Sequence, residues 1–488
     1  MIGWFKDLFK DSLIYGVGFA ISRVLQIIVL PIIAHALSLK EYGYYSNYVI
    51  FYTIAGGVFM LGLDSSVARF MFDSEEKKHH QKIFSISFFC LLLVSLSFAF
   101  VSSFFPLSLM QIINTPPETR EVLLYVLFTI PALAINSFLL NWFKWKRQKY
   151  YFLINSLCTV LLLLIPLLIV KKLSLLLIFQ FIFFSQATVA ILSVFLAGNY
   201  IRLVFDKKLF LSMIKYGFPW MLVFFLGLSR SYIDRFFLTR YLDDDSYGIY
   251  NFSARLSTLI TLVTTAFDMS FGPLALSIWN KEGASRFFST LQSIYVFILS
   301  AVACVIVILS PFLVDILGGP KYRGAEKVLP YLLFSAIPLS LIAFSSMGII
   351  YAKKPFLSTL TLIIGFITVL ILNAIFTPTL LQLGAVNSSV IGHLLIVITG
   401  YYFSRRYYKV NFNFKKDGLI FLLMFASSIV MVEVQLADNT IEDILMKMLI
   451  LIIEVIVVTI LFFQSEFQKS FTFLKNLYYS NIRGNARV

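Results

Sequence analysis

Apolar runs about as long as a bilayer core is thick recur along nearly the whole sequence, and no other feature constrains the fold as strongly. They fall at 13–37, 45–69, 83–105, 121–143, 151–170, 174–198, 216–239, 248–273, 288–314, 329–351, 356–379, 383–403, 418–437 and 443–464. In hydrocarbon every backbone N–H and C=O must find its partner within the segment, so such runs have to be helices. The expectation is an all-α integral membrane protein of about fourteen transmembrane helices. Even the longest connections, 70–82 and 403–417, leave little room for a folded domain. Charged residues make up only 13% of the chain, against roughly 25% in soluble proteins.

The first run needs separate treatment, because Lys6 and Lys10 precede it and Ala34-His35-Ala36 looks like a cleavage site. It is longer than the roughly 7–15 apolar residues of a secretory leader, and Arg23 interrupts it. It reads as an uncleaved first helix.

Enzymatic chemistry has no visible foothold. Cys90, Cys158 and Cys304 lie far apart in different predicted helices, and His35, His79, His80 and His393 show no metal-ligand spacing. HExxH, CxxC, GxGxxG and P-loop patterns are absent from the sequence. No catalytic residue, metal site or cofactor is expected. His393 reads as a hydrogen-bonded core residue, and Lys77-Lys78-His79-His80 as a solvated loop.

Basic residues set the expected orientation. With the N-terminus cytoplasmic, alternate connections place 27 of the 40 Lys and Arg on the cytoplasmic side and nine outside. This is the positive-inside pattern, and it puts both termini in the cytoplasm. The formal charge of +15 then reflects topology and attraction to anionic membrane lipids, with no call for nucleic acid.

An internal repeat is also visible. Tyr15-Gly16 and Tyr216-Gly217 open the first and seventh runs, 201 residues apart. Tyr42-Gly43 and Tyr247-Gly248 follow them at an offset of 205, and Ile130-Pro131 and Ile337-Pro338 match at 207. Six helices per repeat is an even number, so both copies insert the same way up. The expected organisation is two parallel-repeat six-helix bundles, 1–205 and 206–410, with two additional helices and a cytoplasmic tail in 411–488.

Four basic residues remain inside the runs: Arg23, Arg230, Arg235 and Arg255. A charge at the bilayer centre costs about 2.5–3.5 kcal/mol on insertion scales, so each must be paired, snorkelling or in water. One reading is structural: Asp234, one turn after Arg230, pairs with it, while Arg235 and Arg255 reach outward. The sharper reading is a cationic cavity between the bundles. The guanidinium fork suits phosphate oxygens, so the matching guest is a phosphate or diphosphate. Gln26 shares a helix face with Arg23. Asp64 and Asp268 are candidates for pairing or gating, Asp64 with Arg69 foremost, or for binding a coupling proton or sodium ion.

Several stretches carry a family resemblance: Leu30-Pro-Ile-Ile-Ala-His-Ala-Leu-Ser-Leu-Lys-Glu-Tyr-Gly-Tyr-Tyr45, Leu61-Gly-Leu-Asp-Ser-Ser-Val-Ala-Arg-Phe70, Lys215-Tyr-Gly-Phe-Pro219, Asp234-Arg235 with Tyr247-Gly-Ile-Tyr250, and Leu317-Gly-Gly-Pro-Lys-Tyr322. Through them the chain resembles the bacterial polysaccharide transporter or O-antigen flippase family, within the superfamily of multidrug, oligosaccharidyl-lipid and polysaccharide exporters. The resemblance implies a flippase of the bacterial cytoplasmic (inner) membrane. Its cargo would be a polyprenyl-diphosphate-linked oligosaccharide repeat unit for O-antigen, lipopolysaccharide or capsule. A polysaccharide polymerase would be a natural partner. Lipid II flippases and multidrug or cation extruders share the superfamily and stay open as alternatives. A membrane-embedded polymerase or glycosyltransferase would need convergent acids or His, which the sequence does not show.

Overall fold

The computed structural model describes residues 22–485, except 23–24, 75, 147, 353 and 437–439. Among these the regular structure is helical throughout, with no strand. Ten stretches are long and apolar enough to cross a membrane, and a shorter apolar helix, α1, spans Leu25–Ala36.

The chain forms two compact units. The first takes the chain up to Tyr232 together with Asp243–Gly248 and Leu317–Gly319; the second takes Ile233–Leu242, Ile249–Ile316 and the chain from Pro320 onward.

In the first unit, α2 (Leu39–Phe59) starts at a capping box. Glu41 N–H donates to Ser38 Oγ at 3.2 Å, and Ser38 N–H donates to the Glu41 carboxylate at 2.9 Å, satisfying donors that a helix start leaves open. α3 (Leu63–Phe70), α4 (Lys77–Ser103), α5 (Pro106–Ile113), α6 (Arg120–Trp145), α7 (Lys149–Ile169) and α8 (Leu175–Leu196) follow. The long α9 (Lys207–Leu238) begins in this unit. α6 is the central helix, packed on α2, α4, α7 and α8. Its Phe138, Trp142 and Phe143 are fully buried. Trp142 meets Phe84 and Tyr200 edge-on, with ring centroids 4.8 and 5.0 Å apart.

The repeated Tyr-Gly motif acquires a physical meaning here. A Cβ on Gly248 would lie 2.2 Å from the Leu39 carbonyl oxygen, and one on Gly43 would lie 3.0 Å from the Tyr247 ring. At Gly248, against a backbone oxygen, only glycine permits this approach. Lys40 pairs with Asp244 at 2.8 Å, and Tyr247 donates its hydroxyl hydrogen to Asn47 Oδ1.

The second unit contains α10 from Ile249 onward (α10 as a whole is Asp244–Ser257), α11 (Ile260–Ile278), α12 (Ala284–Ile308), α13 (Ser310–Leu317), α14 (Ala325–Ser340), the short α15 (Ile342–Ser345) and α16 (Met347–Tyr351), α17 (Pro355–Ser404), α18 (Phe414–Glu433) and α19 (Thr440–Asn485). α12 is its organising helix, packed on α11, α14, α18 and α19. Gln292 and Ser293 of α12 both donate to the buried Asp417 carboxylate, which pins the start of α18.

The expected fourteen runs map onto this arrangement with informative differences. α17 holds two of them, 356–379 and 383–403, joined at a non-helical Leu381 (φ 50°, ψ −125°). The two arms fold back on each other, because a Cβ on Gly392 would meet Val369 at 2.2 Å and one on Gly365 would meet Ile396 at 2.2 Å. The run 45–69 is broken between α2 and α3, and 248–273 is divided between α10 and α11. α10 and α11 carry Asp244, Asp245, Arg255 and Asp268, and α18 starts with Lys415, Lys416 and Asp417, which lowers the hydropathy of both regions. Phe195, Ile169 and Leu461 stand exposed on helix exteriors, as lipid-facing side chains must.

Candidate functional site

Each unit has a partly open cavity walled by its own helices. The first unit's cavity is about 480 Å³, lined by α2, α3, α6 and α9, with Asp64, Ser137, Asn141 and Trp220 among its walls. A helix break creates it. Leu61 and Gly62 both take positive φ, of 50° and 65°, so α2 ends and the chain restarts as α3. That restart places Asp64 in the first turn of α3. Asp64 forms no ion pair with Arg69, because Arg69 Nη1 instead meets Asp73 Oδ1 at 2.5 Å, one turn onward.

The second unit's cavity is about 650 Å³, between α11 and α14–α16, and is mostly apolar. Its polar groups are Asp268, Thr261, Thr264 and Ser340. Asp268 lies 204 residues after Asp64, inside the 201–207 range of the internal repeat. The walls are α2, α3, α6 and α9 in the first unit, and α11 with α14–α16 in the second. Each of the two cavities therefore holds one carboxylate. The sequence relates the two only through that offset, in surroundings too different to form a matching string.

The arginines separate. Arg23 lies outside the described residues. Gln26, on α1, is exposed. Arg230, on α9, is 7% exposed, and its Nε and Nη1 have no hydrogen-bond partner among the described residues. Asp234, also 7% exposed, accepts the Tyr250 hydroxyl hydrogen on Oδ2, and no ion pair with Arg230 forms among the described residues. Arg235 is half-buried, and Arg255 is exposed on α10. Arg230 is thus a buried guanidinium that forms no ion pair among the described residues and lines neither of these two cavities.

The four histidines all meet backbone carbonyls, His35 through Nδ1 at that of Pro31, 2.8 Å away. His393 is held by the Ser335 carbonyl through Nδ1 at 2.8 Å. His79 and His80, expected in a solvated loop, instead start α4. Each reaches the end of the preceding helical segment through Nε2, at the carbonyls of Phe70 and Met71 respectively, both 3.0 Å away. They supply polar partners to carbonyls that a helix end leaves open. No group of three or more His, Cys, Asp or Glu placed to hold a metal occurs among the described residues.

Known proteins resemble this chain in sequence or in fold. The chain is 26% identical over 249 residues to the uncharacterized membrane protein MJ1068 of Methanocaldococcus jannaschii, a match over 49% of this chain and 48% of that one. The chain thus spans about half the length of that curated relative. The fold matches the lipid II flippase MurJ in an inward closed conformation with TM-score 0.72 and 17% identity, over 93% of this chain and 99% of that one. It also matches an inward-facing multidrug resistance MATE transporter of the MOP superfamily with TM-score 0.61 and 13% identity, over 81% and 94% of the two chains. A family model described as "Polysaccharide biosynthesis protein" matches residues 8–279. With a family match over more than half its length, this chain belongs to the polysaccharide biosynthesis protein family.

Proposed function

We propose that this protein is a flippase for polyprenyl-diphosphate-linked oligosaccharide repeat units, of the O-antigen or capsule type. It carries them from the inner to the outer leaflet of the bacterial cytoplasmic membrane. The observation that carries this reading is Arg230, a buried guanidinium whose Nε and Nη1 have no hydrogen-bond partner among the described residues, in a polysaccharide biosynthesis protein. A diphosphate offers the paired oxygens that a guanidinium fork binds best. No bond is made or broken. The headgroup crosses by alternating access while the lipid tail stays in the bilayer. A second reading, lipid II as cargo, is favoured by the stronger fold likeness to MurJ than to the MATE transporter. Deleting the gene and identifying the lipid-linked sugar on the inner leaflet separates the two. A repeat-unit oligosaccharide supports the first reading, a lipid II build-up the second, and no accumulation overturns both.

Asp64 and Asp268 are proposed as the carboxylates that bind a coupling proton or sodium ion. Changing either to Asn removes the charge and keeps the shape. The expected result is export reduced at least about tenfold (roughly 1.4 kcal/mol) at unchanged membrane abundance. Normal export by both single variants and the double variant would discard the assignment.

The proposed orientation has both termini cytoplasmic. Reporter fusions after Lys78, Lys208 and Arg406 are expected to read inside, and fusions near Asp244 and Asp438 outside. A cytoplasmic reading at Asp244 would overturn this topology.

A further inference from the structure

At one end of the second unit the chain passes from α17 to α18 through a short segment rich in cations and aromatics. The apolar span ends at Ser404, and Arg405, Arg406 and Lys409 follow within five residues. They line a cavity of about 560 Å³ together with Tyr401, Tyr402 and Asn411, and no carboxylate is among its lining residues.

The segment is built, not draped. Ser285 and Ser289 of α12 donate to the carbonyls of Lys409 and Asn411 at 3.0 and 2.7 Å. Tyr401 donates to the Val410 carbonyl at 3.2 Å, and Tyr408 to the Trp279 carbonyl at 2.8 Å. Ser404 Oγ accepts from Gly348 N–H at 2.6 Å. These bonds fix the backbone on both sides of the cations. None of the three cations forms an ion pair among the described residues, although Arg405 lies over the Tyr402 ring at 5.3 Å.

A helix C-terminus alone attracts positive charge, but its partial charge is only about half an electron, too little to balance three cations. Directly beyond an apolar span, this depth is that of lipid headgroups, where aromatic rings also gather. We propose that this cavity is a binding site for the phosphate of an anionic membrane lipid, with Arg405, Arg406 and Lys409 as its ligands. The site is separate from the Asp64 and Asp268 cavities and does not depend on the transported cargo.

The test uses the full-length protein in nanodiscs of phosphatidylcholine, titrated with phosphatidylglycerol or with inorganic diphosphate, bound lipid being read by native mass spectrometry. The Arg405→Gln/Arg406→Gln/Lys409→Gln variant is compared with Arg120→Gln/Lys171→Gln/Lys172→Gln, which removes the same charge from exposed positions elsewhere. Removing the three cations that line this cavity is expected to cost at least about tenfold in phosphatidylglycerol retention, whereas removing three cations from outside it is expected to cost less than about threefold. Equal losses in both variants would mean nonspecific attraction and overturn the site. Diphosphate displacing the lipid at the same concentration from the wild type would show a free-anion site and overturn the lipid assignment. Thermal unfolding of both variants verifies that folded protein is compared.

Discussion

Replacing Arg230 by Ala lowers export of the lipid-linked repeat unit at least about tenfold, while membrane abundance stays normal or rises. The argument rests on the sign of the stability change. A structural arginine is paired, and removing one partner of a buried pair costs about 3–5 kcal/mol. Arg230 has no partner on Nε or Nη1 among the described residues. Its burial at 7% exposure is therefore a standing cost to the fold, and Ala relieves it. Function and stability move in opposite directions, which a purely structural residue cannot produce. Arg230→Lys keeps the charge but loses the two-pronged donor, so partial export is expected. Asp234→Asn is expected to disturb the Tyr250 contact without reproducing the Arg230→Ala phenotype. Abundance and export measured on the same membranes decide the matter. Normal export by Arg230→Ala would remove this residue from the transport path, and loss of the protein itself would make it structural.

Much of the fold was legible because hydrocarbon leaves the backbone so few choices. The runs 121–143, 151–170 and 174–198 reappear as α6, α7 and α8 within a few residues. What hydropathy could not show was where a crossing breaks. The runs 45–69 and 248–273 are each two helices, because the turns at Leu61–Gly62 and Thr258–Leu259 interrupt the helix at uncharged residues that leave no mark on hydropathy. The eight-residue α5 and α13 escaped notice for another reason: they are far shorter than a span. α19 runs on to Asn485 instead of stopping near 464, because a helix does not end where the hydrocarbon does.

The candidate sites were legible as residue types but not as partnerships. Spacing alone made Arg69 the natural partner for Asp64. The same four-residue spacing also offered Asp73 to Arg69, and that pair is the one that forms. Asp64 is left facing a cavity, and Asp268 likewise lines one in the second unit. Tertiary choice among equivalent local pairings is information a linear pattern does not contain.

Gly62→Ala is expected to remove most of the folded protein from the membrane, the largest stability effect proposed for a single methyl group in this chain. Two costs coincide there. The residue sits at φ 65°, where a side chain costs about 1–2 kcal/mol. Its Cβ would also lie 2.0 Å from the Gly217 carbonyl oxygen, a backbone atom that cannot swing aside. Overpacking of this kind adds about 1–3 kcal/mol or more. The seam is held on its other side by Ser66 Oγ donating to the Met213 carbonyl at 2.6 Å, so α3 and α9 have little freedom to part. A total of about 2–5 kcal/mol is a large share of the 5–15 kcal/mol typical of folded proteins. Gly217→Ala, 2.8 Å from the Gly62 carbonyl oxygen, should be milder. Gly227, on the same α9, has open space at its Cβ, so Ala there should be neutral or stabilising by up to about 1 kcal/mol through helix propensity. Thermal unfolding of the purified variants in detergent is expected to rank them Gly62→Ala lowest, then Gly217→Ala, with Gly227→Ala at or above wild type. A Gly62→Ala protein as stable as wild type would mean that the α3–α9 seam does not close as described, and with it the wall that turns Asp64 into its cavity.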